Sequence, residues 1–544
     1  MSQTKQFWTI DAETDPFVHG RVPVPFMWGI FTGNEYFTFD GDNCTEQFIS
    51  FIENKNVYLY AHNGGRFDFM FLLSYLQNTK IKIIRNRLVE IRIGKAILRD
   101  SWSIIPISLD TYKKTKIDYT KFEKSVRHKY IDEIREYMKD DCLNLYELVA
   151  SFRKNAGKGL TIAGNALSFS RKLNIDVGTT NWKHDQRFRP FYFGGRCQAF
   201  DAGHFTNIDI FDIKSAYPFA MMYEHPTGKE HHIHTDGRLL PTARLKKSFV
   251  KVECYSKGAF PLHDKHKLEF PHAYGLFHVT GWELATALKH GLIDKQRQFI
   301  IHETMEFINT INFKPYIGHW FKQKEKDDKD LALRYIAKTM LTSLYGKLAQ
   351  NPVEYRDYKV MPGGSKLIDG WKLGPEFNDK EYHYRPVLHN LIEKYGEKWI
   401  RAPIYYNVAT AASITGFVRA MLLQAMAAVG PDRVLYCDTD SLFINKGDYD
   451  GLRRDGKLGA WGWDGRADDC YIGGRKMYVA YGDQFDKGTK KASKGARLTN
   501  KEIERVAMGG LVKWSNPAPT FAIDGRPTFI VRSLRRTVDP KTHN

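Results

Sequence analysis

Residues 434–444 read VLYCDTDSLFI, two apolar runs around the polar tip Asp438, Thr439, Asp440, Ser441. That profile predicts a tight hairpin with acids at its tip. Residues at i and i+2 of an extended chain face the same side, so Asp438 and Asp440 are expected to point into one site. Two like charges held together out of water repel and push each other's pKa upward. The segment offers no arginine to compensate, so a divalent cation is the expected counter-charge. A bare D-x-D also fits a solvated turn, and the reading needs support from elsewhere in the chain.

Two distant segments supply it. FDIKSAYP at 211–218 continues the alternation Ile208, Ile210, Asp212, which places a carboxylate at the end of a buried strand. Three carboxylates suffice to hold two Mg²⁺ ions about 3.5–4 Å apart, clamping the attacking and leaving oxygens of an in-line phosphoryl displacement. Hard oxygen donors favour Mg²⁺ over soft metals. KTMLTSLYGK at 338–347 falls in a helix expected from about Asp328 to Leu348, where Lys338 and Tyr345 share a face. A lysine and an aromatic ring on one face suit a triphosphate and a base. A solvated lysine and a core tyrosine are the plain alternative.

A second set of acids lies near the N-terminus. In FWTIDAET, Asp11 and Glu13 end a buried strand on one face; HNGGRFD supplies Asn63, Phe67 and Asp68; YMKDD places Asp141 one helical turn after Tyr137. Four carboxylates and a phenol suit two-metal hydrolysis of a phosphodiester, the phenol orienting water. Strands FWTIDAE, VYLYAHN and LVEIRIG, followed by a helix from Tyr130 to Phe152, make this region α/β.

Bulk properties agree with a nucleic-acid partner. The 544 residues carry 81 Lys+Arg against 62 Asp+Glu, a net charge of +19. Such a surplus suits a polyanion, because each neutralised phosphate releases condensed counterions. Six scattered cysteines without a Cys-x-x-Cys pair argue against a disulfide framework or zinc ribbon and for a reducing compartment. The opening residues have neither the apolar core of a signal peptide nor an Arg-rich transit helix, so a cytoplasmic location is expected. Val408 to Gly430 is the most apolar stretch; Arg419 and Gln424 interrupt it, and it reads as a buried helix.

In order, these segments resemble a family B DNA polymerase with a 3′–5′ proofreading exonuclease. The exonuclease signatures D-x-E, N-x3-F-D and Y-x3-D precede the polymerase signatures D-x2-S-x-Y-P, K-x4-S-x-Y-G and Y-x-D-T-D-S, all between residues 11 and 441. YFGG (Tyr192 to Gly195), KTKI (Lys114 to Ile117) followed by Tyr119, and RKMY with Lys476 and Tyr478 are similar to elements of the protein-primed branch of bacteriophages and linear plasmids. The resemblance implies a multidomain α/β and α+β fold, a ribonuclease H-like exonuclease domain (1–150) followed by a right-hand polymerase domain. It implies a palm at 180–225 and 403–480, fingers at 313–350 and a thumb at 481–544. Two terminal-protein-region insertions are implied at 226–312 and 351–402, the second including the Gly/Pro/Asp-rich stretch 361–380.

The resemblance also assigns roles. Asp212, Asp438 and Asp440 would serve the polymerase metals, with Lys338 on the incoming triphosphate beside Ser215. Tyr217 would exclude a ribose 2′-hydroxyl, and Tyr345 would pack on the nucleotide. Asp11, Glu13, Asp68 and Asp141 would bind the exonuclease metals, with Tyr137 and Lys114 orienting water and scissile phosphate. Thr14, His62, Asn63 and Phe67 would hold a frayed 3′ end, Phe67 by stacking. Tyr192, Gly194, Gly195, Lys476 and Tyr478 would contact DNA. Mg²⁺ is the implied cofactor, with Mn²⁺ able to substitute, and the implied partners are primer-template DNA, dNTPs and a terminal protein, acting on a monomer. One position departs from the family: Thr342 stands where the second polymerase signature carries Asn before Ser, losing an amide.

Lys487, Lys490, Lys491, Lys494, Arg497 and Lys501 fit contact with a duplex backbone, or a solvated surface. Arg532, Arg535 and Arg536 allow the same two readings. His225, His231, His232 and His234 lie close in sequence, in an expected loop without cysteine partners, a poor zinc pattern. Two alternatives remain at this level: a polymerase that initiates without a terminal protein, and an inactive polymerase-like nucleic-acid-binding protein.

Overall fold

The computed structural model describes residues 5–18, 20–76, 79–264, 267–294, 296–325, 330–351, 356–367, 371–377, 380–386, 406–445, 452, 455–516, 518–521 and 527–538. Strand Phe7–Thr14 pairs antiparallel with Pro25–Phe31 and parallel with Tyr58–Ala61, which runs parallel to Ala96–Asp100. Its two faces are distinct, as period-2 alternation requires. Trp8, Ile10 and Ala12 join Phe48, Ile52 and Phe69 in one core. Thr9, on the face shared with Asp11 and Glu13, donates its hydroxyl to the Cys142 carbonyl at 2.8 Å, on helix Ile131–Asn155. That helix carries Asp132 and Glu133 in its first turn and Arg153 and Lys154 in its last, complementing its dipole.

This sheet continues beyond the N-terminal region. Arg356–Pro362 pairs antiparallel with Thr79–Ile84, setting Tyr358 opposite Ile81, and Lys380–Pro386 and Lys372–Phe377 extend it to ten strands. Strands therefore occupy much of the Gly/Pro/Asp-rich stretch and fuse the expected second insertion to the expected exonuclease sheet. Residues 387–402 of that insertion lie outside the described residues.

A seven-stranded antiparallel sheet forms the centre. Its spatial order is Thr489–Ser493, Met477–Tyr481, Trp461–Gly474, Gly203–Ile213, Ser441–Asn445, Val434–Asp438 and Cys197–Ala199. The boundary expected at 481 runs through a hairpin, because Tyr481 pairs with Thr489 and the basic strand Thr489–Ser493 belongs to this sheet. Helix Val408–Val429 is long and apolar enough to cross a membrane. Here it packs in a core with Phe211, Ile213, Leu442 and Ile444 of the central strands. The Asn407 side chain accepts hydrogen bonds from the Ala409 and Thr410 amides to start it, and Gly430, at φ 98°, ends it.

Between the two halves of this sheet, a four-stranded sheet in the order His225–His234, Ile300–Ile311, Ser248–Lys257, His272–Thr280 builds its own core from Val250, Val252, Phe260, Phe277 and Leu284. The histidines expected in a loop lie along its first strand. His225 is buried against Ser413 and the Ala220 carbonyl, whereas His234 meets Glu306. Helices Lys314–Glu325 and Leu331–Leu348 follow, the second started by Asp330, whose carboxylate accepts from the Leu333 amide at 2.9 Å. The start expected at Asp328 lies outside the described residues. Helix Ile162–Lys172 leans on the pair through Phe169, 4.9 Å from Trp320. Residues 539–544 of the expected thumb are also outside the described residues. All six cysteines are free thiols.

Candidate active sites

Asp212 ends the central strand Gly203–Ile213 opposite Ser441. Asp438 pairs with Ser441 across the hairpin, so Thr439 and Asp440 form a two-residue turn. The i, i+2 argument holds in outcome but not in geometry, since a turn rather than an extended chain brings the acids together. Thr439 occupies the left-handed region at φ 61°, unfavourable for a β-branched residue. Its amide donates to the Arg196 carbonyl at 2.6 Å, which helps hold it there. Gly195 is required beside it: a Cβ would come within 2.7 Å of the Thr439 side chain.

Burial, together with the neighbouring acids, raises Asp212 to about 6 and Asp440 to about 7. Asp438 differs from the expectation of an uncompensated charge. Lys476 donates to both its oxygens, at 2.7 and 2.6 Å, and the Tyr436 hydroxyl donates at 3.3 Å. The compensating cation comes from the turn between strands Trp461–Gly474 and Met477–Tyr481, thirty-eight residues on and invisible to a local reading. Tyr478, expected at DNA, is buried instead, 4.7 Å from Phe443 and 5.3 Å from Tyr436, because its strand turns that ring into the core.

Two charged residues near these acids were not anticipated. Asp464 sits in a β-bulge between Trp463 and Gly465, beside the Asp212 strand, and is ion-paired with Lys490. A bulge re-aims a side chain, and glycines flanking an acid in WGWDG were the available signal. Lys324, from the last turn of helix Lys314–Glu325, donates to the Ser215 hydroxyl at 3.1 Å. Burial, with Lys338 and Lys214 nearby, holds its ammonium below the usual lysine range. Ser215 itself is left-handed at φ 55° and starts the short helix Ala216–Ala220. Tyr217 of that helix stacks on Tyr345 with centroids 4.2 Å apart and planes 5° from parallel. The two stacked phenols thus lie near Asp440, with the lysine cluster at Ser215. Thr342 is exposed and turns its hydroxyl back onto the Lys338 and Thr339 carbonyls.

The N-terminal acids form a separate cluster. Asp11, Glu13, Asp68 and Asp141 all have pKa values raised by burial, Asp68 to about 7. The Asp68 carboxylate accepts from the Ala12 amide at 3.2 Å, tying the 3₁₀ segment Asp68–Tyr75 to the first strand. Lys114 lies 3.5 Å from Asp141; burial opposes its charge, but Asp141, Tyr119 and Asp11 outweigh that and hold it above the lysine range. Tyr137 is hydrogen-bonded to Tyr119 at 2.9 Å and faces Asp141 and Glu13. His62 contacts Ser101 through Nδ1 at 3.0 Å, and the Asn63 side-chain Oδ1 accepts from Arg87 at 2.9 Å. Thr14 is buried, its hydroxyl on the Asp15 carbonyl.

A cleft of about 720 Å³ opens from these acids, with Asp11, His62, Asn63 and Phe67 on one wall. Its other wall was not foreseen: Arg497, Trp514 and Phe521 come from the C-terminal region. Phe67 does not stand free to stack. It meets Phe17 edge-on at 5.3 Å and Phe71 at 5.0 Å, with Phe521 at 6.2 Å. The contact with Phe521, from the far end of the chain, carries no local signature.

Among the described residues, no three acids, histidines or cysteines stand in coordinating arrangement as the side chains lie. In each cluster a lysine ammonium takes up part of the charge instead. The donor sets nevertheless fit hard divalent cations, being crowded, partly buried carboxylate oxygens.

Comparison with known proteins agrees with this architecture. The profile of the family described as DNA polymerase type B, organellar and viral, matches residues 109–384. A DNA-directed DNA polymerase of Enterobacteria phage PRD1 is 35% identical over 570 aligned positions, covering 97% of each chain. A DNA polymerase of Bacillus phage phi29 is 23% identical, covering 77% of each. Among solved structures, the phi29 DNA polymerase complexed with primer-template DNA and incoming nucleotide superposes with a TM-score of 0.74 at 19% identity, covering 98% of this chain and all of that one.

Proposed function

This chain belongs to the organellar and viral type B DNA polymerases, and we propose that it replicates a linear genome from a terminal-protein primer with strand displacement, and proofreads its product 3′ to 5′. The observation that carries the reading is the presence of two separate, partly buried carboxylate clusters in one chain, each with its own lysine. Asp212, Asp438 and Asp440 make phosphodiester bonds; Asp11, Glu13, Asp68 and Asp141 break them. The expected palm, fingers, thumb and two insertions are the domain frame of the proposal.

In synthesis the primer's 3′-hydroxyl attacks the α-phosphorus of a dNTP, forming a P–O bond, breaking the α–β anhydride and releasing pyrophosphate and a proton. Two divalent cations, Mg²⁺ or Mn²⁺, would activate the hydroxyl and stabilise the leaving oxygens. Asp212 and Asp440 hold that charge, with Asp438 beside them. Lys338 and Lys324 meet the triphosphate near Ser215. Tyr217, on the Tyr345 ring, lies under the sugar and leaves no room for a 2′-hydroxyl. Lys476 neutralises Asp438 in the free enzyme and lies within reach of the primer's terminal phosphate. Tyr192, Gly194 and Gly195 border the same edge. In the N-terminal site the attacking group is water and the product a nucleoside monophosphate; Tyr137 and Lys114 orient water and phosphate, while Thr14, His62, Asn63 and Phe67 guide the 3′ end. The phage relatives favour action in the cytoplasm of a bacterial host.

Metal dependence and pH are linked. Asp212, Asp440 and Asp68, raised to about 6, 7 and 7, retain protons in the folded metal-free protein where the unfolded chain has lost them. A raised carboxyl favours the folded state fully only below its ordinary pKa of 3.8, and that advantage is lost progressively as pH rises to the folded values of about 6 to 7. Cation binding needs the deprotonated ligands. Mg²⁺ is therefore expected to raise the melting temperature, relative to EDTA, more at pH 8 than at pH 6. Equal shifts at both pH values would contradict this linkage.

Initiation is tested without any nucleic-acid primer. The enzyme, its template and each labelled dNTP are incubated with the product of a small reading frame neighbouring the polymerase gene. Label joined covalently to that protein, and sensitive to protease, is the expected result. Long products from enzyme, template and dNTPs alone would sink obligate protein priming.

A further inference from the structure

Helix Leu331–Leu348, which carries Lys338, also reaches the neighbourhood of the N-terminal acids. The Tyr335 hydroxyl donates to the Thr111 carbonyl at 2.8 Å, a contact between residues 224 apart in sequence. Thr111 belongs to the one-turn helix Leu109–Tyr112, which gives way at Lys113 to extended backbone, φ −151° and ψ 122°. Lys114 comes next, its Nζ 3.5 Å from Asp141 and 5.5 Å from the centre of the Tyr137 ring. The contact therefore falls just before the lysine assigned to the scissile phosphate.

The last carbonyls of a helix have no intrahelical partner, so the groups that bond them from outside help to set the direction in which the chain leaves. Leu109 is buried in the core that holds Ile336 and Ala337, and Tyr112 packs against it, but these apolar contacts take up no carbonyl. From helix Ile131–Asn155, Glu147 meets Tyr112 and Lys113 at 3.0 and 2.8 Å, and Asn144 donates to the Lys113 carbonyl at 3.4 Å. The Lys113–Glu147 pair is about half exposed at both ends, and exposed pairs contribute little. Tyr335 adds a hold from outside the N-terminal region, on the backbone of the turn itself.

Fold stability does not require that hold. The bond lies at the surface, where water can replace either partner, and such an exchange changes net stability little. What the hydroxyl adds is position, because its helix is anchored in the core through Ile336, Met340 and Leu344.

We propose that Tyr335 is a positioning residue for the 3′–5′ exonuclease, supplied from the polymerase half of the chain. It caps the Leu109–Tyr112 turn and so sets where Lys114 stands against Asp141 and the scissile phosphate. Lys338 lies one turn further along the same helix, so one element meets the triphosphate in one site and steadies a lysine of the other. The inference rests on the exonuclease reading of the N-terminal acids.

The test uses full-length Tyr335→Phe, Lys114→Ala and the double variant. Melting temperature, kcat and KM for degradation of single-stranded DNA in Mg²⁺, and extension of a primed template are measured for each. Single turnovers with enzyme in excess keep the slow variants measurable. A displacement on the order of 1 Å at reacting groups costs about 100-fold, and releasing one end of the turn should cost part of that, about 5- to 10-fold in kcat for degradation by Tyr335→Phe. KM and primed extension should stay within about twofold of wild type, with the melting temperature unchanged. In the Lys114→Ala background the same loss of a hydroxyl should change nothing further, whereas a general structural effect would lower both backgrounds by the same factor. Wild-type degradation by Tyr335→Phe, or an equal loss in both backgrounds, would overturn the inference. Failure of the wild type to degrade single strands would instead defeat the exonuclease reading, and the inference with it.

Discussion

Asp440→Ala is expected to reduce Mg²⁺-dependent extension of a primed template by about 10³-fold or more, with 3′–5′ degradation of single-stranded DNA within about twofold of wild type. Asp440 sits in the two-residue turn of the hairpin, its carboxyl raised to about 7 by burial and by Asp212 and Asp438. On the proposed two-metal reading, removing it takes one anionic ligand from a set of three and leaves too little charge to hold a metal pair. It also removes a half-buried group that repels its neighbours. The melting temperature of the metal-free variant at pH 8 should therefore not fall, which separates a catalytic loss from an unfolding one. A drop in both activities together with a lower melting temperature would count against the assignment.

The reciprocal substitution, Asp11→Ala, is expected to cost degradation a similar factor of about 10³ while primed extension stays within about twofold. Asp11 is held above the carboxylate range by burial, then by Glu13, Asp68 and Asp141. The alternation that points it toward helix Ile131–Asn155 is locked from behind by Ile10 and Ala12 in their core and on its own face by the Thr9–Cys142 hydrogen bond. Neither support depends on the carboxylate, so the strand should survive the change. Misincorporated nucleotides should then accumulate in the product. An Asp11→Ala protein that degrades single strands at the wild-type rate would remove this cluster from the proposal.

The acids were legible in the sequence because their signals are local: a two-residue alternation ending in a carboxylate, a hairpin tip, a helical turn between Tyr137 and Asp141. The central sheet was legible for the same reason, since Ile208, Ile210 and the apolar runs around Asp438 announce buried strands. What escaped depends on distant pairings. Lys476 reaches Asp438 from the turn of another hairpin, Lys324 reaches Ser215 across more than a hundred residues, and Phe521 closes a cleft begun at Asp11. The pairing of Arg356–Pro362 with Thr79–Ile84 has no local mark either. Tyr478 illustrates the converse: a motif position suggested an exposed role, but the strand's alternation turns its ring into the core beneath the acids.

We propose two independent carboxylate sites in one chain, one joining nucleotides and one removing them. A primer-template with a mismatched 3′ end, Mg²⁺ and dNTPs reads both at once. Wild type should trim the mismatch and then extend, Asp440→Ala should only shorten the primer, and Asp11→Ala should leave the mismatch in place. An equimolar mixture of the two variants should regain full-length product with the mismatch corrected. A single substitution that abolishes both trimming and matched-primer extension in a folded protein would contradict separate sites.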